Sequence, residues 1–166
     1  YEADDMIGSL AKLGRGVGHK IIVLSGDKDL MQLIGPEDVI WGFGKSDPKG
    51  PAEVMGRLGV RPEQVADYLA LVGDSSDNIP GVPGIGIKTA SALLKHFGSL
   101  DVLLQAGKEI AEVSVRGAKH LPQKIQDYRE QILMAKQLTT IAEDALLGRP
   151  ELRRQPIDVE GVGDFC

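Results

Sequence analysis

Seven carboxylates fall into three tight clusters: Glu2, Asp4 and Asp5; Asp27 and Asp29; and Asp74 and Asp77. Asp74-Ser75-Ser76-Asp77 has i,i+3 spacing, which puts both acids on one side of a turn. Each cluster alone has an ordinary reading. Acids at a helix start complement the helix dipole, and Asp74 to Asp77 could be a capped turn. Gathered together, seven acids need counter-charge, and hard oxygen donors in this number suit Mg²⁺ or Mn²⁺. Two such ions ~3.5–4 Å apart clamp the attacking and leaving oxygens of a phosphodiester.

The elements that would gather them can be read from periodicity. Met6, Ile7, Leu10 and Leu13 share one helix face over 2–13, which Gly14, Gly16 and Gly18 are expected to end. Lys20 to Ser25 reads as a buried strand, Asp27 to Leu33 as a helical turn and Asp38 to Phe43 as a second strand. Pro51 starts a helix through Leu58. Pro62 starts another, with Val65, Ala66, Leu69 and Val72 inward. Strands alternating with helices predict a parallel α/β sheet. The Asp27/Asp29 cluster follows the first strand, on the sheet edge where ligands bind in open α/β folds, and this placement favours a joint role for the acids. No strand is expected between Gly73 and Leu138, only helices and Gly/Pro turns. The expected organisation is an α/β part over 1–72, a helical part over 73–147 and an irregular tail over 148–166.

The chain has 166 residues, 42% hydrophobic and 26% charged, the composition of a globular protein with a sizeable core. No apolar run approaches the ~18 residues of a membrane-spanning helix, so no membrane partner is expected. The single cysteine, Cys166, excludes an internal disulfide framework and suits a reducing compartment, with a cytoplasmic, nucleoid-associated location expected. The chain opens at Tyr1 without a basic, apolar leader, and a piece of a longer protein is expected. The net charge of −5 taken alone discourages a nucleic-acid partner. Setting aside the seven clustered acids leaves seventeen acidic against nineteen basic residues, and 84–136 carries eight basic and five acidic residues.

The densest pattern is Asn78-Ile79-Pro80-Gly81-Val82-Pro83-Gly84-Ile85-Gly86-Ile87-Lys88-Thr89-Ala90. Its glycines would expose backbone N–H groups beside a helix beginning near Ile87, a ready anion site. It is not a P-loop, because Ile87 separates Gly86 from Lys88 and no strand leads in. A hairpin between helices over 62–72 and 87–97 would use its amides and Lys88 to grip a phosphodiester backbone without reading sequence. A plain helix connection is the bland alternative. Lys95, Arg116, Lys119 and Lys124 could extend the basic track, although Lys95 and Lys124 fit a solvated helix surface equally well. Trp41 is expected to pack. His19, His96 and His120 are scattered and read as surface or helix-end residues. Lys28 reads as local charge balance between Asp27 and Asp29.

Tyr1-Glu2-Ala3-Asp4-Asp5, Ser25-Gly26-Asp27-Lys28-Asp29-Leu30 and the run from Gly73 to Gly86 resemble the 5′-nuclease (flap endonuclease) superfamily. The resemblance is closest to the 5′→3′ exonuclease domain of bacterial DNA polymerase I. Gly50-Pro51-Ala52-Glu53-Val54, Asp67-Tyr68-Leu69-Ala70-Leu71 and Arg116-Gly117-Ala118-Lys119 extend it, and it covers roughly 1–147.

The resemblance implies a partial PIN-like nuclease core followed by a helix–three-turn–helix that binds duplex DNA. It implies two Mg²⁺ (or Mn²⁺) held by Glu2, Asp4, Asp5, Asp27, Asp29, Asp74 and Asp77, with catalysis resting on Asp27, Asp29, Asp74 and Asp77. Some relatives lack the last pair, so its presence favours the polymerase-linked type. A K⁺ on the carbonyls of Leu71, Val72, Pro80, Val82 and Ile85 is implied. So are DNA contacts from Gly84, Ile85, Gly86, Ile87, Lys88, Thr89, Arg116 and Lys119. The implied substrates are DNA with 5′ ends or 5′ flaps, with a covalently linked polymerase domain as a further partner. Family members begin with a strand bearing a further metal-binding Asp and a basic helical arch. Neither precedes Tyr1 in this sequence, so the chain is expected to be inactive without an upstream segment. A non-catalytic duplex-binding module would leave the acids idle, and a Mg²⁺-dependent phosphatase of small substrates would leave the hairpin idle.

Overall fold

The computed structural model describes residues 1–42, 44, 47–145 and 148. Phe43, Cys166 and the expected tail, apart from Gly148, lie outside the described residues. Helix α1 (Ala3–Gly16) starts where the Glu2 N–H donates to Asp5 Oδ2 at 2.8 Å. It runs past the expected stop at Leu13. Gly14 is a buried helical position, where a Cβ would crowd Ile21 Cδ1 at 2.9 Å. Its role is close packing of helix on strand rather than termination.

Strands β1 (Ile22–Leu24) and β2 (Val39–Trp41) pair in parallel with Ile22 opposite Val39. A 3₁₀ turn, Asp29–Leu33, lies between them and buries Leu30, Met31 and Leu33. The expectation of a buried first strand is corrected. Only Val23 is covered, while Ile22 and Leu24 are 60% and 63% exposed. Among the described residues, β1 has one neighbouring strand. Trp41, expected to pack, is 40% exposed.

Helix α2 (Pro51–Leu58) has Pro51 at its first position and stops at Gly59, whose φ of 73° is left-handed. The 3₁₀ turn Pro62–Gln64 leads into α3 (Val65–Val72), which is buried from Val65 through Leu71. Its sequence suggested one inner face; the structure makes it the central helix, packed by the helices that follow. Burial of Asp67 is tolerated because its Oδ2 accepts the Leu100 N–H at 2.8 Å and its Oδ1 lies 3.0 Å from Lys136 Nζ.

Two strands appear where none was expected. β3 (Gly73–Asp74) and β4 (Ile79–Pro80) pair antiparallel. The turn between them reverses at Asn78, a residue tolerant of its φ of 56°. This ladder needs glycine twice, since a Cβ on Gly73 would strike Gly81 and one on Gly81 would strike the Val72 carbonyl.

Helices α4 (Ile87–Phe97), α5 (Leu100–Gln105), α6 (Leu121–Asp127) and α7 (Arg129–Thr139) complete the helical part. Leu71, Leu93, Leu94, Leu100, Leu103 and Ile132 are fully buried and join these helices to α3. None of the described helices is long and apolar enough to cross a membrane.

After α7 the chain returns across the α/β part. The Thr139 carbonyl accepts from Gln32 Nε2, the Ile141 N–H donates to Gln32 Oε1, and the Ala142 N–H donates to Asp5 Oδ1. The Ala145 N–H donates to Ser9 Oγ at 2.8 Å. The last described residues thereby fix α1 and the Asp29 turn against the helical part.

Candidate metal centre and nucleic-acid interface

Three of the seven predicted acids come together. One carboxylate oxygen from each of Asp29, Asp74 and Asp77 lies within 4.8 Å of the other two. Asp29 comes from the 3₁₀ turn after β1, Asp74 from β3, and Asp77 from the β3–β4 turn. The short antiparallel ladder that escaped sequence reading therefore delivers two of the three.

Asp74 is 4% exposed. Its Oδ1 accepts the Ser76 N–H at 3.0 Å and the Ser76 hydroxyl at 2.5 Å. Its Oδ2 lies 2.6 Å from the Lys28 ammonium. Asp74 Oδ2 and Asp29 Oδ1 are both buried and have no partner beyond this lysine, which pairs with both. Burial, reinforced by Asp74, Asp27 and Asp77 and opposed by Lys28, pushes the Asp29 carboxyl up to about 6. Burial also opposes ionisation of Asp74, but Lys28 and Ser76 outweigh it and hold the carboxyl below its ordinary value. Buried carboxylate oxygens that repel one another and share a single lysine are the donor set a divalent cation relieves. The residues present therefore fit Mg²⁺ or Mn²⁺.

The acids of α1 face the same place. Glu2, Asp4, Asp5, Asp29 and Asp77 line one cavity of about 360 Å³ together with Tyr1 and residues 137–142. Burial raises the Asp4 carboxyl, helped by Asp27, Glu2, Asp5 and Asp77. Asp5 is engaged differently, since its two oxygens accept the Glu2 and Ala142 N–H groups, which hold its carboxyl low. It anchors α1 and the returning chain. Asp27 is exposed, and its Oδ1 accepts the Asp29 N–H at 3.0 Å. A larger cavity, about 710 Å³, is lined by Arg15, Leu33, Pro36, Met55, Arg61 and Glu63 among others. It contains none of the predicted site residues, and its mostly apolar walls offer no matching chemistry.

The hairpin follows directly from the metal-side ladder. Gly86 caps α4 in extended conformation and has no side chain to satisfy the first N–H groups of the helix. Lys88 is exposed and Thr89 half-buried at that open end. Ile85 is only 3% exposed, and its N–H donates to the Val82 carbonyl at 2.9 Å. Of the carbonyls expected to face a K⁺, Leu71 accepts the Val82 N–H, Val82 the Ile85 N–H, and Pro80 the Gln131 side chain. Arg116 and Lys119 are exposed in and beside the 3₁₀ turn Ala118–His120.

Sequence reading left Lys124 open between the basic track and a plain helix surface, and missed Gln131 and Ser76. Lys124 reaches from α6 to donate to the Pro83 carbonyl at 2.6 Å, so it belongs to the hairpin rather than to a generic helix surface. Gln131 donates to the Pro80 and Gly81 carbonyls from α7. Ser76 orients Asp74 and accepts from Lys28. Gln131 and Lys124 have no local signal for these contacts, because their partners lie elsewhere in the chain, whereas the Ser76 bonds to Asp74 belong to the local Asp74 to Asp77 turn.

Comparisons with known proteins agree with this layout. Residues 1–59 match the family model for the 5′-3′ exonuclease, N-terminal resolvase-like domain, and residues 60–160 that for the 5′-3′ exonuclease, C-terminal SAM fold. DNA polymerase I of Bacillus subtilis (strain 168) is 46% identical over 149 residues, covering 87% of this chain and 16% of that protein. A 5′-3′ exonuclease of Buchnera aphidicola subsp. Schizaphis graminum is 38% identical over 143 residues, covering 86% of this chain and 50% of that protein. The chain thus spans half the length of the Buchnera protein and about a sixth of the polymerase. Among solved structures, T5 5′-exonuclease with bound divalent metal ions (zinc) superposes with a TM-score of 0.69 at 24% identity, over 83% of this chain and 49% of that one. This likeness shows a shared fold. With the mixed α/β part, the helical part and both family models in agreement, the chain belongs to the 5′→3′ exonuclease family.

Proposed function

We propose that this chain forms part of a structure-selective 5′→3′ exonuclease and flap endonuclease that hydrolyses DNA phosphodiesters with two divalent cations. The observation that carries this reading is the junction at Asp74. The ladder that brings Asp74 and Asp77 to Asp29 is continuous with the hairpin that opens the amide end of α4.

A divalent cation bound there would polarise the phosphodiester and stabilise the charge of the in-line transition state. Asp29, Asp74 and Asp77 would hold one such ion, and Glu2 and Asp4, with Asp27 near Asp4, would serve a second. The open N-terminus of α4, Lys88 and Lys124 would grip the duplex backbone, with Arg116 and Lys119 continuing the track. A K⁺ on the hairpin carbonyls would add positive charge at that contact. DNA with 5′ ends or 5′ flaps is the proposed substrate, and a polymerase domain in the same polypeptide is proposed by analogy with the polymerase relatives. The exposed face of β1 would be covered by an upstream strand, without which efficient cleavage is not expected.

A duplex-binding module without catalysis leaves the gathering of Asp29, Asp74 and Asp77 unexplained. The test is cleavage of a labelled 5′-flap duplex by the intact protein in Mg²⁺. Release of the flap by the wild type and its loss in Asp77→Asn supports the reading. No release, or release unaffected by Asp77→Asn, overturns it.

A further inference from the structure

We propose that Lys28 is the metal centre's own exchangeable counter-ion. Its ammonium holds the place of a divalent cation on Asp74 and has to leave when that cation binds. The inference rests on the metal-binding reading of Asp29, Asp74 and Asp77.

Lys28 lies between two acids of the turn after β1, yet its side chain crosses to the β3–β4 turn. Its Nζ lies 2.6 Å from Asp74 Oδ2 and 3.7 Å from Asp29 Oδ1, and it donates to Ser76 Oγ at 3.1 Å. The two oxygens it approaches are buried and have no partner besides this lysine. One ammonium shared between carboxylates of two separate turns stands in the relation an ion has to its ligands.

A divalent cation would sit roughly 2.0–2.2 Å from a carboxylate oxygen. On Asp74 Oδ2, with Asp29 and Asp77 also in reach, it would claim the space the ammonium fills. Both cations on one oxygen would be a few ångströms apart and strongly repelled. The Lys28 side chain is 36% exposed, so it can swing to solvent without disturbing the core. The arrangement has two consequences. The metal-free protein is spared a set of uncompensated buried carboxylates, and metal affinity is lowered by the competition. A fixed organiser of Asp74 would do the opposite, because its removal would misalign the ligand and weaken binding.

The sign of one change separates these roles. Mn²⁺ is titrated into the intact protein, free Mn²⁺ is followed by electron paramagnetic resonance, and wild type is compared with Lys28→Met. The proposal predicts about tenfold tighter binding in Lys28→Met, from loss of a like charge beside the ion. It also predicts a lower metal-free melting temperature and a larger rise on adding Mn²⁺. Lys28→Arg, which keeps the charge, should bind no tighter than wild type. Lys28→Gln, measured with Mn²⁺ present throughout, replaces Lys28→Met if the latter does not fold without metal. Equal or weaker Mn²⁺ binding in the neutral variant overturns the exchangeable role while leaving the metal site intact. Wild-type binding no stronger than in Asp77→Asn overturns the metal reading and this proposal together.

Discussion

The acidic cleft and the glycine hairpin share a boundary at β3 and β4 but are built on opposite principles. In the hairpin, backbone groups are paired and packed: Val82 to Leu71, Ile85 to Val82, Gln131 to Pro80 and Gly81, and Lys124 to Pro83. In the cleft, buried oxygens of Asp29 and Asp74 share one lysine and their carboxylates repel one another. The hairpin is a finished backbone surface, and the duplex proposed for it would meet amides and lysines. The cleft is an electrostatic imbalance that a ligand completes. Damage to the hairpin's packed backbone should therefore appear as lost stability, and loss of a repelled cleft carboxylate as lost metal binding with stability kept or gained.

The largest effect should come from Gly81→Ala. The added methyl would meet the Val72 carbonyl, and the β3–β4 ladder cannot close around it. A loss of about 3 kcal/mol or more is expected in denaturant unfolding, because backbone rather than a flexible side chain is in the way. Metal binding should fall with it, since the same ladder carries Asp74. A stable Gly81→Ala protein would remove the hairpin's claim to be the rigid partner.

Asp38 tests whether acids of the α/β part differ according to their partners. Its oxygens accept the Ile21 N–H, the Gly35 N–H and the Arg15 guanidinium. Burial works against its ionisation, but these donors hold the carboxyl below its ordinary 3.8. A folded value below the unfolded one adds stability that is present above about pH 3.8 and lost as pH falls through the lower folded value. Asp38→Asn should cost about 2 kcal/mol near neutral pH and flatten the acid limb of unfolding. An unchanged acid limb would contradict the assignment.

Asp29→Asn should have the opposite sign. Removing a buried charge that its neighbours repel should raise metal-free stability by about 1 kcal/mol near pH 7, while the Mn²⁺-dependent rise in melting temperature disappears. Destabilisation equal to that of Asp38→Asn would place Asp29 among the structural acids. The smallest effect is expected from Lys88→Ala. It should leave unfolding unchanged, weaken duplex affinity by about 1 kcal/mol and reduce the salt slope by about one. If neither affinity nor slope moves, the open end of α4 is not a phosphate contact.

What was legible in the sequence follows the same division. Helices α2 and α4 were readable from Pro51, the glycines and the apolar spacing, and the clustered acids marked the cleft. The β3–β4 ladder was not, because two-residue strands have no periodicity and Pro80 argues against a strand. The continuation of α1 through Gly14 was hidden because glycine signals a stop unless a close neighbour, here Ile21, is known. The covered face of α3 was underestimated because burial on all sides depends on α7, which lies far along the chain. Contacts such as Lys28 to Asp74, Lys124 to Pro83 and Asp5 to Ala142 join distant segments and leave no local pattern. Sequence thus located the carboxylates, while the fold distinguished those tied to backbone donors, such as Asp5, from the three gathered at Asp29, Asp74 and Asp77.

The central claim is that Asp29, Asp74 and Asp77 form a divalent-cation site. The most direct measurement is anomalous scattering from crystals of the intact protein soaked in Mn²⁺. The account predicts a peak within bonding distance of all three carboxylates, with the Lys28 ammonium drawn away from Asp74. A fully soaked crystal with Mn²⁺ elsewhere, no peak among these three residues and Lys28 still on Asp74 would contradict it.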